Sequence, residues 1–283
     1  MNIKISSDST LDLSPELIKK YDIGVVPLSV IKDGKPYRDL VDITPAEIFE
    51  YVDGGGEICT TSGVNFGEYT DVFTEYLKSY DAVIHINLSG EMSTCYQNAR
   101  LAASELENVY VVDSRNLSSA QGLVVLKAAE LAEAGMEPAE IYEKLNRYTG
   151  LIEASFILDR LDYLHKGGRC SGVAAFGANL FNIKPSIEVV DGKMVVSKKY
   201  RGLFDRCARQ YILDRLAGRD DIDTERLLYT RTVKCPEKAS DAGRAAIEEA
   251  AAGFDAVHET FAGCVISSHC GPHCLGVLFA RKG

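Results

Sequence analysis

The chain has 283 residues, a net charge of −10, 46% hydrophobic and 25% charged residues. At roughly 150 residues per domain this length divides into about two domains, and the ordinary apolar share supports a sizeable core and excludes global disorder. The acidic balance excludes a nucleic-acid partner, because phosphate contacts need clustered Lys and Arg. No apolar run approaches the roughly 18 residues that span a bilayer, and the N-terminus turns polar too early for a signal peptide, so a cytoplasmic location is expected. In that compartment the eight cysteines read as reduced thiols, not as a disulfide framework.

In chain order, residues 3–6 alternate as a strand and deliver the polar loop Asp8-Ser9-Thr10. Strand-to-helix loops of an open α/β sheet are where ligands are usually met, with local backbone hydrogen bonding by Ser9 and Asp12 as the alternative role. A helix starts at Ser14-Pro15, residues 23–30 read as strand, Asp33-Gly34 as a hairpin turn and Thr44-Pro45 as the next helix start. The break Gly54-Gly55-Gly56 leads into Thr60-Thr61-Ser62-Gly63 and a helix over 66–79. This predicts hydroxyls near a helix N-terminus, where amides and the macrodipole favour an anion. Residues 82–88 form a near-continuous apolar run of buried parallel-strand type, which delivers a second hydroxyl loop, Ser89 to Thr94, before a helix over 96–106. A strand over 109–114 and helices over 117–134 and 137–148 complete a repeated β-α pattern, an N-terminal α/β domain over 1–150.

The second half, 151–283, reads as an α+β domain. It opens with a strand over 154–158, then a helix over 159–166 that stops at Gly167-Gly168, with Arg169 beyond it, and a helical stretch over 171–180. The hairpin 183–190/194–200 turns at Asp191-Gly192, with Arg201 just beyond. A helix over 203–216, a strand over 226–230, a helix over 237–252 and a strand over 257–261 follow. Near the end the strand-like 264–268 and 277–280 flank the turn-rich His269-Cys270-Gly271-Pro272-His273-Cys274.

Thiolate and imidazole are zinc's preferred ligands, so His269, Cys270, His273 and Cys274 pose the metal question. Their spacing lacks the second knuckle of the common structural sites, and no metal or other cofactor is expected. If the three loops converge, Thr61, Ser62, Ser93 and His269 make a polar pocket of neutral donors suited to a carboxylate or phosphate. A stand-alone hydrolase, with Ser93 or Cys95 as nucleophile and His269 as base, is the competing class. It lacks a Gly-x-Ser-x-Gly elbow and a clear group to orient the histidine. Neither glycine-rich phosphate-loop pattern occurs, which argues against intrinsic nucleotide hydrolysis.

Eight stretches carry a family resemblance. They are Ser7-Asp8-Ser9-Thr10-Leu11-Asp12-Leu13, Thr61-Ser62, the run from Leu88 to Tyr96, Val112-Asp113-Ser114, the run from Leu161 to Arg169, Lys184-Pro185, Arg201-Gly202 and His269-Cys270-Gly271-Pro272. In this order, over essentially the whole chain, they resemble the DegV family. The resemblance implies two α/β domains with a long-chain fatty acid between them, its carboxylate held by hydroxyls and its tail buried. It also implies, for some members, a role as the lipid-binding subunit of a bacterial fatty acid kinase, presenting the carboxylate to a separate ATP-binding protein. On that reading Thr61, Ser62 and Ser93 donate to the carboxylate, with His269 as the nearest ionisable partner. Arg169 and Arg201 then stabilise the acyl phosphate or contact the kinase, and transient contact with a membrane surface is compatible with loading. This sequence departs from the family pattern at Gly63-Val64-Asn65, where Gln-Pro-Ser is usual, and at Glu91-Met92-Ser93-Thr94-Cys95, where Gly-Leu-Ser-Gly-Thr is common. It also has His273 in place of a glycine.

Overall fold

The computed structural model describes residues 1–170 and 183–283. The first half runs β1 (Ile3–Asp8), α1 (Pro15–Lys20), β2 (Gly24–Val26), β3 (Ser29–Lys32), β4 (Lys35–Arg38), α2 (Pro45–Asp53), β5 (Thr60–Ser62), α3 (Phe66–Leu77), β6 (Ala82–Asn87), α4 (Cys95–Ala103), β7 (Val109–Asp113), α5 (Ser118–Glu133) and α6 (Pro138–Tyr148). The second runs β8 (Ile152–Leu158), α7 (Asp162–Gly167), β9 (Ile183–Val190), β10 (Lys193–Arg201), α8 (Phe204–Leu216), β11 (Ile222–Arg231), α9 (Glu237–Ala250), β12 (Val257–Phe261), α10 (Cys264–Cys270) and β13 (Cys274–Arg281).

This is a mixed α/β fold. A four-stranded sheet has the order β2-β1-β6-β7 with every pairing parallel. All six residues of its inner strand β6 are buried, His85 and Asn87 included, as the near-continuous apolar run requires of a strand covered on both faces. A six-stranded sheet has the order β10-β9-β8-β13-β11-β12, and a small antiparallel sheet β4-β3-β5 carries Thr61 opposite Val30. One apolar cluster joins the halves, packing Leu88, Met92 and Leu117 with Phe156, Leu158, Val265 and Ile266.

Local chemistry sets the boundaries. Thr44 caps α2 in a reciprocal box with Glu47, and Pro15 and Pro45 occupy first-turn positions where no amide donor is needed. Both Asp-Gly turns hold positive φ at their two central residues, Asp33 and Gly34, then Asp191 and Gly192, the backbone of a type I′ hairpin.

Three expectations need correction. The strand expected over 23–30 is two strands, β2 and β3, with Pro27 in the gap where it has no amide to give the ladder. The hydroxyls Thr61 and Ser62 lie on a strand, not at the start of α3, whose N-terminus is taken by an Asn65–Glu68 capping box. The stretch expected as strand over 264–268 is the helix α10. Six of its seven residues are buried, so it shows no polar face and no helical period to read. The helix expected over 171–180 lies outside the described residues.

Candidate functional site

Three elements bring the site together. Alternation along β5 turns Thr61 inward and leaves Ser62 exposed, its Oγ only 3.5 Å from the Gly63 carbonyl. Ser93 sits at the start of α4, where its Oγ accepts from the Cys95 amide at 3.2 Å. His269 comes from the last turn of α10. With Arg169 these groups line one cavity of about 60 Å³, whose remaining wall is apolar, including Leu88, Met92, Met194, Val265 and Ile266. A second cavity, about 30 Å³, shares Leu117, Ile266 and Cys270 with the first and continues past Phe156 and Leu278. The two cavities adjoin across these shared walls, the first carrying Thr61, Ser93, Arg169 and His269. Ser62 and Arg201 do not line it: Arg201 is exposed at the end of β10.

His269 Nε2 lies 2.9 Å from Thr61 Oγ1, while Nδ1 is sealed from solvent with no partner. Burial, and then the nearby Arg169 charge, push the imidazole down to about 4, so the ring is neutral at pH 7. A buried lone pair without a donor is tolerated better than a buried N–H without an acceptor, which assigns the ring proton to Nε2. Nε2–H then donates to Thr61 Oγ1 and leaves the threonine proton free for an acceptor in the cavity. The room for this ring comes from Gly167, the last residue of α7. A Cβ there would stand 2.1 Å from His269 Nδ1. The same glycine's carbonyl accepts from Arg169 Nη1 at 2.8 Å, and among the described residues no carboxylate pairs with Arg169.

The hydrolase arrangement is not assembled. Ser93 Oγ points to Cys95 Sγ at 3.2 Å, not to the histidine, and burial pushes the Cys95 thiol up to about 11, away from the reactive thiolate. Among the described residues no carboxylate orients His269 through Nδ1. The four residues of the metal question also diverge. His269 turns to Thr61, His273 Nδ1 lies 3.1 Å from Asp159 Oδ2, and Cys270 and Cys274 are buried together. Among the described residues no three His, Cys, Asp or Glu side chains gather around one point.

The Asp8-Ser9-Thr10 loop binds its own protein. Asp8 accepts from Tyr69 Oη at 2.6 Å, Asn87 Nδ2 at 3.0 Å and the Leu88 amide at 3.1 Å. Ser9 Oγ donates to Asp39 and Thr10 Oγ1 to Gln121. A larger cleft, about 380 Å³, is lined by Arg115, Arg215, Arg219 and Arg281, but Glu153, Glu188 and Asp191 match these charges as ion pairs. Sequence reasoning did not single out Gly167's contact with the imidazole, whose only local signal is a helix-ending glycine.

A family model described as "Uncharacterised protein, DegV family" matches residues 2–282. The chain belongs to the DegV family. A DegV domain-containing protein of Clostridium acetobutylicum is 35% identical over 282 residues, 99% of each chain. A DegV-family protein of Thermus thermophilus, described for its fatty acid binding, superposes with a TM-score of 0.90 at 32% identity over all of both chains. DegV of Bacillus subtilis, described as a fatty acid binding protein, superposes with a TM-score of 0.82 at 30% identity, again over all of both chains.

Proposed function

We propose that this DegV protein binds a long-chain fatty acid, its carboxylate at Thr61, Ser93 and His269 and its tail along the apolar path past Leu117 and Ile266. The observation that carries the reading is that the cavity holding the polar groups adjoins a second cavity across the shared residues Leu117, Ile266 and Cys270. Thr61 and Ser93 hydroxyls supply the donors that a buried carboxylate requires. The neutral imidazole aligns one of them. Burying a tail contributes about 0.8 kcal/mol per methylene, so about fourteen methylenes carry up to about 11 kcal/mol before ordering costs. A cavity of about 60 Å³ is well below the roughly 300 Å³ of a small-molecule pocket. The path therefore widens on binding, and Met92 and Met194 are the unbranched, flexible walls suited to that.

Residues 1–150 supply Thr61, Met92 and Ser93, and residues 151–283 supply Arg169, Met194 and His269, so the lipid lies between what we take to be two domains. We propose further that the protein performs no chemistry alone. It presents the carboxylate, in the cytoplasm, to a separate ATP-binding fatty acid kinase subunit that makes the acyl phosphate, and it loads by brief contact with a membrane surface. Arg169 lines the cavity, with no carboxylate paired to it among the described residues, and serves the phosphorylated state; Arg201 serves the partner. Among the described residues no helix is long and apolar enough to cross a membrane.

Thr61→Ala and Ser93→Ala are each expected to weaken fatty acid binding by roughly 1.5 to 3 kcal/mol, the value of a charge-assisted hydrogen bond, with little change in folding. Calorimetric titration of both variants tests the head-group assignment, and unaltered affinity in both removes these hydroxyls from the site. Arg169→Ala and Arg201→Ala are expected to keep near-normal lipid content while lowering turnover with an ATP-binding kinase subunit. Equal loss of lipid and turnover would place them in the lipid site instead.

A further inference from the structure

We propose that Asp12 and Asp39 are positioning residues for the lipid head-group site: they hold the amino end of α10 so that His269, near its other end, stays on Thr61 and aligns the hydroxyl that meets the carboxylate. The inference rests on the fatty-acid reading above. With seven residues α10 falls short of the roughly 12 to 15 that an isolated helix needs to be even marginal in water, so its placement must come from tertiary contacts. The Gly263 amide donates to Asp12 Oδ1 at 2.8 Å, and the Cys264 amide donates to Asp39 Oδ1 at 2.8 Å. Both carboxyl groups are almost fully buried. Each is itself fixed, Asp12 Oδ2 lying 2.5 Å from Ser118 Oγ and Asp39 Oδ2 accepting from Ser9 Oγ at 2.7 Å. Gly263 lets both approach: a Cβ there would stand 3.1 Å from Asp12 Oδ1 and 3.5 Å from Asp39 Oδ1.

The consequence reaches the cavity because α10 carries Val265, Ile266, His269 and Cys270 into its wall. A shift of this one short helix moves four lining side chains together. The two acids lie far from α10 in sequence, on the loops after β1 and β4. They act through the helix and do not touch the cavity.

The test compares Asp39→Ala, which removes the acceptor, with Asp39→Asn, which keeps one. Two readouts are taken: palmitic acid affinity by calorimetry, and the His269 imidazole signals by NMR in the ligand-free protein. Asp39→Ala is expected to lose about tenfold or more in affinity, the equivalent of one such contact, and to raise the His269 titration midpoint above about 4. Asp39→Asn is expected to retain affinity within about threefold and to leave the midpoint in place. An Asp39→Ala protein with unchanged affinity and unchanged His269 signals would overturn the proposal, as would equal losses in both variants. If Asp39→Ala does not fold, Ser9→Ala loosens the same carboxylate; moved His269 signals support the clamp and unmoved ones overturn it. If the natural protein takes up no palmitic acid, the fatty-acid reading fails, while the NMR readout still judges whether the acids place His269.

Discussion

Gly167→Ala is expected to abolish high-affinity fatty acid binding and to lower stability by about 1 to 3 kcal/mol, the usual cost of overpacking a tight contact. The added Cβ would stand 2.1 Å from His269 Nδ1, well inside van der Waals contact. One side must move. The glycine ends α7, and its carbonyl holds Arg169, so a backbone shift displaces the arginine that lines the cavity. An imidazole shift breaks the 2.9 Å contact with Thr61. Either response disturbs the head-group end, and the long tail path is unaffected. Calorimetry and thermal melting of the variant check this together: a melting temperature lowered without loss of affinity would mean that His269 does not position the carboxylate.

The second large effect is in the dependence of stability on pH. Burial pushes Asp12 up from 3.8 to about 8, against the opposing hydrogen bonds from Ser118 and Gly263. A carboxyl raised on folding contributes stability that is full below about pH 4 and lost as pH rises through about 8. His269 works in the opposite direction. Its lowered value favours the neutral ring, so it contributes stability that is present above its ordinary 6.5 and lost as pH falls through about 4. From about pH 4 to 6.5 the two slopes offset one another. Of these two groups, only Asp12 still changes above 6.5, a loss of about 1.4 kcal/mol per pH unit and on the order of 2 kcal/mol by pH 8. Urea unfolding at pH 6.5 and pH 8 is expected to show this decline in the natural protein and not in Asp12→Asn, which keeps an acceptor for Gly263 and cannot ionise. An equal decline in the variant would assign it to other groups.

The periodic and punctuated parts of the fold were legible in the sequence. The apolar run of β6, the Asp-Gly hairpins, the proline-started helices and the hydroxyl loop before α4 each carry a local signal that tertiary context did not override. The site was legible by residue type more than by geometry. Thr61 and Ser62 are adjacent hydroxyls of equal promise in sequence, and only the pairing of β5 with β3 decides which one faces inward. Helix α10 was not legible, because burial on every side removes the amphipathic period. Its restraint comes from acids about 225 and 251 residues away. Such long-range contacts leave no trace in local spacing. The loop Asp8-Ser9-Thr10 has the strand-to-helix position of a ligand loop, but its buried polar groups are satisfied within the protein and join the first strand to the elements that build the cavity.

The most direct measurement is mass spectrometry of the organic extract from the purified, denatured protein. The account predicts a co-purified long-chain fatty acid near one equivalent, depleted in the Thr61→Ala and Ser93→Ala double variant. An extract free of any acyl carboxylate, with no uptake when palmitic acid is titrated into the folded protein, would contradict it.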